Sequence, residues 1–148
     1  MLAILLKDYR NLKRRKMKTM INPNELRIGN RLIRTKRDGT ESIIEVTWMN
    51  LRDIYRDPDG FNNKHKPIPL TEEVLKACGF EPVGYGRYNS LEFKGFRNGL
   101  YDIYLLENEC ITFMNNVTEK SITNIKYIHQ LQNIYLDLTG EELKPSSN

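Results

Sequence analysis

The sequence predicts an α+β fold, and three observations carry that prediction. Tyr127, Ile128, Leu131, Ile134, Tyr135 and Leu138 all fall within about 60° of Leu131 on a helical wheel, an apolar stripe that has to be buried. Asp38-Gly39 and Asn98-Gly99 each separate two runs of β-branched and aromatic residues, the mark of a hairpin. Between the hairpins, Thr71 to Gly79 carries the start and stop signals of a short helix. Together they describe a small N-terminal β unit with an SH3-like arrangement, a short helix, a three-stranded antiparallel meander and a C-terminal helix packed on that sheet.

The chain has 148 residues and a net charge of +4, enough for one domain with a real core. We expect a basic leader over 1–19, a single α+β domain over 20–143 and a disordered tail over 144–148. The leader holds seven basic residues against Asp8, net +6. The other 129 residues hold 16 basic and 18 acidic side chains, net −2, so the basic character belongs to the leader. MLAILL is too short to cross a bilayer and lacks positive charges ahead of it, so neither secretion nor membrane insertion is expected and a bacterial cytoplasm is. KDYRNLKRRKMKT reads either as a basic helix that touches RNA, DNA or an anionic surface, or as the in-frame translation of a purine-rich ribosome-binding stretch. In the second case Met17 or Met20 is the start. Cys78 and Cys110 have neither metal-site nor disulfide-framework spacing.

INPNELRIGN at 21–30 reads as a helical turn after Pro23, closed by Gly29. Arg31 to Lys36 and Glu41 to Met49 are the strands around Asp38-Gly39, with Ile44, Val46 and Trp48 on the buried face, and Leu51, Ile54 and Tyr55 continue into a further strand. Asp57-Pro58-Asp59-Gly60 reads as turn chemistry and Phe61 to Pro69 as an extended connection. Thr71 is the N-cap of the short helix, Leu70 and Leu75 form its hydrophobic staple, and Phe80 folds back past Gly79. Leu91 to Phe96, Leu100 to Leu106 and Cys110 to Met114 are the meander, with Tyr101, Ile103 and Leu105 on one face opposite Ile111 and Phe113. Thr123 or Asn124 caps the C-terminal helix and Gly140 ends it.

NELRIGN at 24–30, PIPLTEEVLKACGF at 67–80 and IKYIHQLQNIYLDLTGEEL at 125–143 resemble the recurring blocks of a family of small proteins from gut bacteria of the Bacteroidetes type and their phages. The resemblance spans residues 20 to 143, with the last block the most specific. It implies a phage or mobile-element context and a late start codon. The family has no established activity, so no catalytic residue follows from it.

Two surfaces are candidate sites. Arg27, Arg31, Arg34, Lys36 and Arg37 gather around the first strand with Trp48 and Tyr55 nearby, a pattern able to track a phosphate backbone; charged edge strands that prevent aggregation explain the same residues. His129 lies about 160° around the helix from Leu131, with Ile125, Gln132 and Leu136 on that same side, either a dimer seam or partner surface or simply a polar outer face. Asp53, Asp57, Asp59 and His65 lack the closing glutamate of a calcium loop, and Gly84-Tyr85-Gly86 lacks the Lys-Ser/Thr of a phosphate loop. The Asn116-Val117-Thr118 sequon has no meaning in a cytoplasmic chain. No catalytic residue, cofactor or metal is expected. The leading expectation is a non-enzymatic accessory protein of phage or prophage origin that acts through a protein partner. Nucleic-acid binding is second, and an enzyme of a type these motifs do not identify is third.

Overall fold

The computed structural model describes residues 20–88, 91–106, 111–115, 117–118, 121–123 and 125–146. The basic leader, Cys110, Asn116 of the sequon, Asn124 and the last two residues lie outside them. In chain order the elements are a 3-10 turn (Pro23–Glu25), β1 (Arg31–Thr35), β2 (Glu41–Glu45), α1 (Trp48–Arg56), α2 (Pro58–Lys64), β3 (His65–Pro67), α3 (Glu72–Ala77), β4 (Glu81–Tyr88), β5 (Leu91–Asn98), β6 (Tyr101–Leu106), β7 (Ile111–Asn115), β8 (Ser121–Thr123) and α4 (Ile128–Thr139). The class is α+β. The chain divides into two compact units, Met1–Pro69 with Tyr127–Asn148, and Leu70–Lys126.

The first unit is built on an antiparallel sheet of order β2-β1-β3. Its hairpin closes with Lys36 N–H donating to Thr40 O at 2.8 Å around Arg37-Asp38-Gly39, where Gly39 takes φ +82°. Leu32, Val46, Ile54 and Phe61 join Ile21 and Leu26 in its core, with Ile44 and Leu51 packed against them.

Two stretches depart from the expected strands and extended connection. β2 stops at Glu45, and Trp48 opens α1 where the alternation predicted more strand. Asn50 Oδ1 accepts from Thr47 N–H at 2.9 Å and so holds the first turn, and Leu51 and Ile54 turn the same side of the helix inward. Then Asp57 accepts from Gly60 N–H at 2.9 Å as an N-cap, with Pro58 in the first helical turn. The residues read as a turn therefore start α2, because a missing N–H costs nothing at that position.

α4 also belongs to the first unit, where it contacts β1 and the 3-10 turn. The stripe through Leu131 pointed instead to the meander as its cover. Tyr127 is the N-cap, later than the expected Thr123 or Asn124, and Thr123 lies in β8. Ile128 N–H donates to Ile68 O at 2.9 Å, and Gly140 at φ +74° ends the helix as expected. Leu143 and Pro145 are buried beyond it.

In the second unit Thr71 Oγ1 accepts from Val74 N–H at 3.3 Å and caps α3. Phe80 N–H donates to Leu75 O and Gly79 N–H to Lys76 O, both at 3.0 Å, closing a Schellman motif over buried Leu75 and Phe80. A five-stranded antiparallel sheet of order β4-β5-β6-β7-β8 follows. The expected three strands are its centre, with Ile103 opposite Phe113 and Leu105 opposite Ile111. The second hairpin turns on Gly99 and Leu100, one residue later than read, because Gly99 at φ +58° takes the first central position where a II′ turn demands positive φ. Phe96, Ile103 and Phe113 fill one face, and Lys94 on that face meets Glu72 of α3 at 3.1 Å.

Candidate interaction surface

α1 is a two-sided helix. Ile54 is fully buried, whereas Trp48 is 61% and Tyr55 62% exposed. Trp48, Arg52 and Tyr55 fall within about 60° of one another at helical spacing. The Arg52 guanidinium sits 5.3 Å from the Trp48 ring centroid and also reaches Asp53 at 2.9 Å. Tyr55 Oη donates to Asn24 Oδ1 at 3.4 Å, which ties the stripe to the 3-10 turn. An indole, a stacked arginine and a phenol presented outward on a rigid helix make up the side-chain set that dominates protein-protein hot spots.

The basic residues around β1 divide. Arg27 is committed to α4: its Nε donates to Asn133 Oδ1 at 2.9 Å, one Nη to Asp137 at 2.9 Å and the other to Asn133 O at 2.5 Å. Its role is structural, which removes it from the expected phosphate-tracking patch. Arg31 is half-buried, and its N–H donates to Gln132 Oε1 at 3.0 Å. Arg34, Lys36 and Arg37 are exposed around the hairpin. Trp48 opens α1 beyond the end of β2 remote from that hairpin, about 17 Å of strand away, so it provides no platform beside them.

The second expected surface is corrected. Ile125, His129 and Gln132 are 3%, 1% and 7% exposed, and Leu136 is half-buried. Gln132 accepts from Arg31 N–H and donates to Leu143 O at 3.2 Å, so it is an internal clamp. His129 Nε2 lies 3.5 Å from Glu25, and its ring stacks on Tyr127 at 5.7 Å. Burial holds its pKa below the ordinary histidine value, while Glu25 pulls the other way. Polarity hid these positions: Gln132 is satisfied by Arg31 and Leu143, while His129 is buried although, among the described residues, neither of its ring nitrogens has a hydrogen-bond partner.

Of Asp53, Asp57, Asp59 and His65, three have other duties, and Asp59 sits in the first turn of α2. Asp57 caps α2 and Asp53 pairs with Arg52. His65 is buried, stacks on Phe61 at 4.0 Å and places Nδ1 3.0 Å from Phe61 O. Desolvation first, then the nearby Arg34 and Lys64 charges, lower its pKa. Among the described residues no group of three or more His, Cys, Asp or Glu converges on a metal position, and no helix is long and apolar enough to cross a membrane.

In the second unit, Gly86, Arg87, Glu92, Phe93, Leu105 and Leu106 help line an open groove of about 640 Å³. Arg87 pairs with Glu92 at 3.1 Å and Lys94 also lines the groove, so its walls mix charged groups with the aromatic and aliphatic ones. Compared with known proteins, the chain matches no family model, no curated protein and no solved structure.

Proposed function

We propose that this chain is a non-enzymatic accessory protein that acts by surface contact with a protein partner, and that the exposed stripe of α1 is the contact. The carrying observation is the side-by-side exposure of Trp48, Arg52 and Tyr55 on a helix whose opposite face is anchored by Ile54. Tryptophan and tyrosine bring large areas to an interface at small entropic cost. The block resemblance supplies the context, a phage or prophage gene working in a bacterial cytoplasm.

The test is recovery of the tagged full-length chain after cross-linking in the cell that makes it. Trp48→Ala with Tyr55→Ala is compared with Val83→Ala plus Tyr85→Ala on β4. A hot spot contributes at least about 2 kcal/mol and tenfold is about 1.4 kcal/mol, so the α1 pair should weaken partner binding by at least about 30-fold while the β4 pair retains it. Equal retention by both variants refutes the assignment.

A further inference from the structure

We propose that the β1–β2 hairpin is a second, separate contact surface, and that it binds the phosphodiester backbone of nucleic acid through Arg34, Lys36, Arg37 and Lys64.

The placement follows from the ladder. Arg34 pairs with His65 across β1 and β3, which sets Lys64, the last residue of α2, beside the hairpin end of the sheet. Lys36 and Arg37 enter the turn two and three residues after Arg34, and all four side chains belong to exposed residues. Many of the other described cations are drawn into ion pairs, as in Arg27 with Asp137, Lys76 with Glu72 and Arg97 with Asp102. Among the described residues none of the hairpin's four cations has such a carboxylate. Of the nearby acids, Asp38 stays charged and interacts electrostatically with Lys36 without forming an ion pair, its oxygen being held by Thr40, and Glu41 is taken by a different lysine. Asp38 accepts from Thr40 N–H at 2.9 Å and from Thr40 Oγ1 at 2.7 Å, and Glu41 pairs with Lys66 at 3.1 Å.

The tip thus keeps a net positive charge, and its turn is closed by the Asp38–Thr40 bonds with Gly39 taking the positive φ. From Arg34 to Arg37 it spans about 10 Å, over which duplex DNA presents roughly six charges. A two-stranded ribbon is also narrow enough for a major groove. Lys36, Arg37, Asp38, Gly39 and Thr40 include no apolar side chain to enter a lipid interface, which argues against a membrane as the occupant.

The experiment titrates a fluorescent 20-base-pair DNA duplex with full-length protein across a salt series. It runs in the natural background and with Lys13, Arg14, Arg15 and Lys16 each changed to Ser, so that leader charges do not mask the hairpin. With three to four phosphate contacts, log K should fall against log salt with a slope of about −3, a loss of roughly 60-fold between 50 and 200 mM. Lys36→Glu with Arg37→Glu should reduce affinity at least tenfold and flatten the slope by about 2, with an unchanged melting temperature. Arg56→Glu with Lys144→Glu makes the same net-charge change elsewhere and should alter affinity less than threefold. Equal losses from the two pairs, or binding indifferent to the hairpin pair in the serine background, overturn the proposal. So does tighter hairpin-dependent binding to phosphatidylserine vesicles than to the duplex.

Discussion

Gln132→Ala and Leu138→Ala exchange their expected severities once the structure is known. On the helical wheel Leu138 shares the Leu131 stripe, while Gln132 belongs to the opposite, polar side. In the folded chain Leu138 is 50% exposed and Gln132 7%. Removing the Gln132 amide leaves Arg31 N–H without its acceptor at 3.0 Å and Leu143 O without its donor at 3.2 Å. An unsatisfied buried group costs about 1–3 kcal/mol, and some water reaches this partly buried site, so the pair together costs about 2–3 kcal/mol. Full burial of a leucine stabilises by about 1.5–3 kcal/mol, so the half-buried Leu138 contributes about 1 kcal/mol. At about 2–4 °C per kcal/mol for a chain of this size, Gln132→Ala should lower Tm by roughly 4–12 °C and Leu138→Ala by roughly 2–4 °C. Thermal melts followed by circular dichroism at pH 7.5 decide it. A larger loss from Leu138→Ala would mean that α4 buries its apolar stripe and exposes Gln132, and the account of the first unit would fail.

Two further outcomes test neighbouring parts of the first unit. His65 and His129 both have pKa values lowered in the folded state, chiefly by burial. Below about pH 7 the unfolded chain therefore binds more protons, and stability should fall as pH drops through the ordinary histidine value of about 6.5 toward the folded ones. Urea midpoints between pH 7.5 and 5 check this, and His129→Gln should flatten the dependence; an unchanged slope refutes the role given to His129. Asp57→Ala removes the cap of α2 and should cost about 1 kcal/mol, a Tm loss of roughly 2–4 °C. No loss would mean that Asp57 does not hold this helix.

What could be read in advance was local chemistry with a short range. The α3 unit, from Thr71 to Phe80, is written in consecutive residues; the staple residues Leu70 and Leu75 are both buried, and its cap and Schellman closure form. So does the Ile103–Phe113 and Leu105–Ile111 register, which follows from period-two alternation. Errors arose where one residue type serves two purposes. Asp57-Pro58 starts a turn or a helix equally well, and Gly60 N–H meeting the Asp57 carboxylate chose the helix. β4 escaped notice because Pro82, Gly84 and Gly86 are poor strand formers. Yet Phe93 covers Gly86, where an added Cβ would strike its ring, so the glycine makes room for an aromatic across the ladder. The α1 stripe was visible only as residues: Trp48 and Tyr55 have no meaning as a pair until Trp48 leaves the strand and begins a helix.

The exposed apolar residues of the two units are not equivalent as docking sites. Val83 and Tyr85 lie on β4, an edge of the five-stranded sheet and therefore the place where another strand could add. Three features oppose that. Pro82 has no N–H to offer, the register shifts between Pro82 and Gly84, and Lys94 lies 5.6 Å from the Tyr85 ring centroid while reaching Glu72. A bulged, proline-bearing edge with a cation over its largest side chain is how a sheet is kept from pairing outside itself. α1 has no strand edge to guard, although Arg52 lies over Trp48 much as Lys94 lies over Tyr85. Its backbone hydrogen bonds are satisfied within the helix, so Trp48 and Tyr55 stay exposed without inviting strand addition, and recognition there has to come from side chains. β4 is an edge guarded against strand addition and α1 is not an edge at all, and this difference favours α1 over β4 as the proposed contact. A partner that tolerates Trp48→Ala with Tyr55→Ala but loses affinity on Val83→Ala with Tyr85→Ala would reverse the assignment.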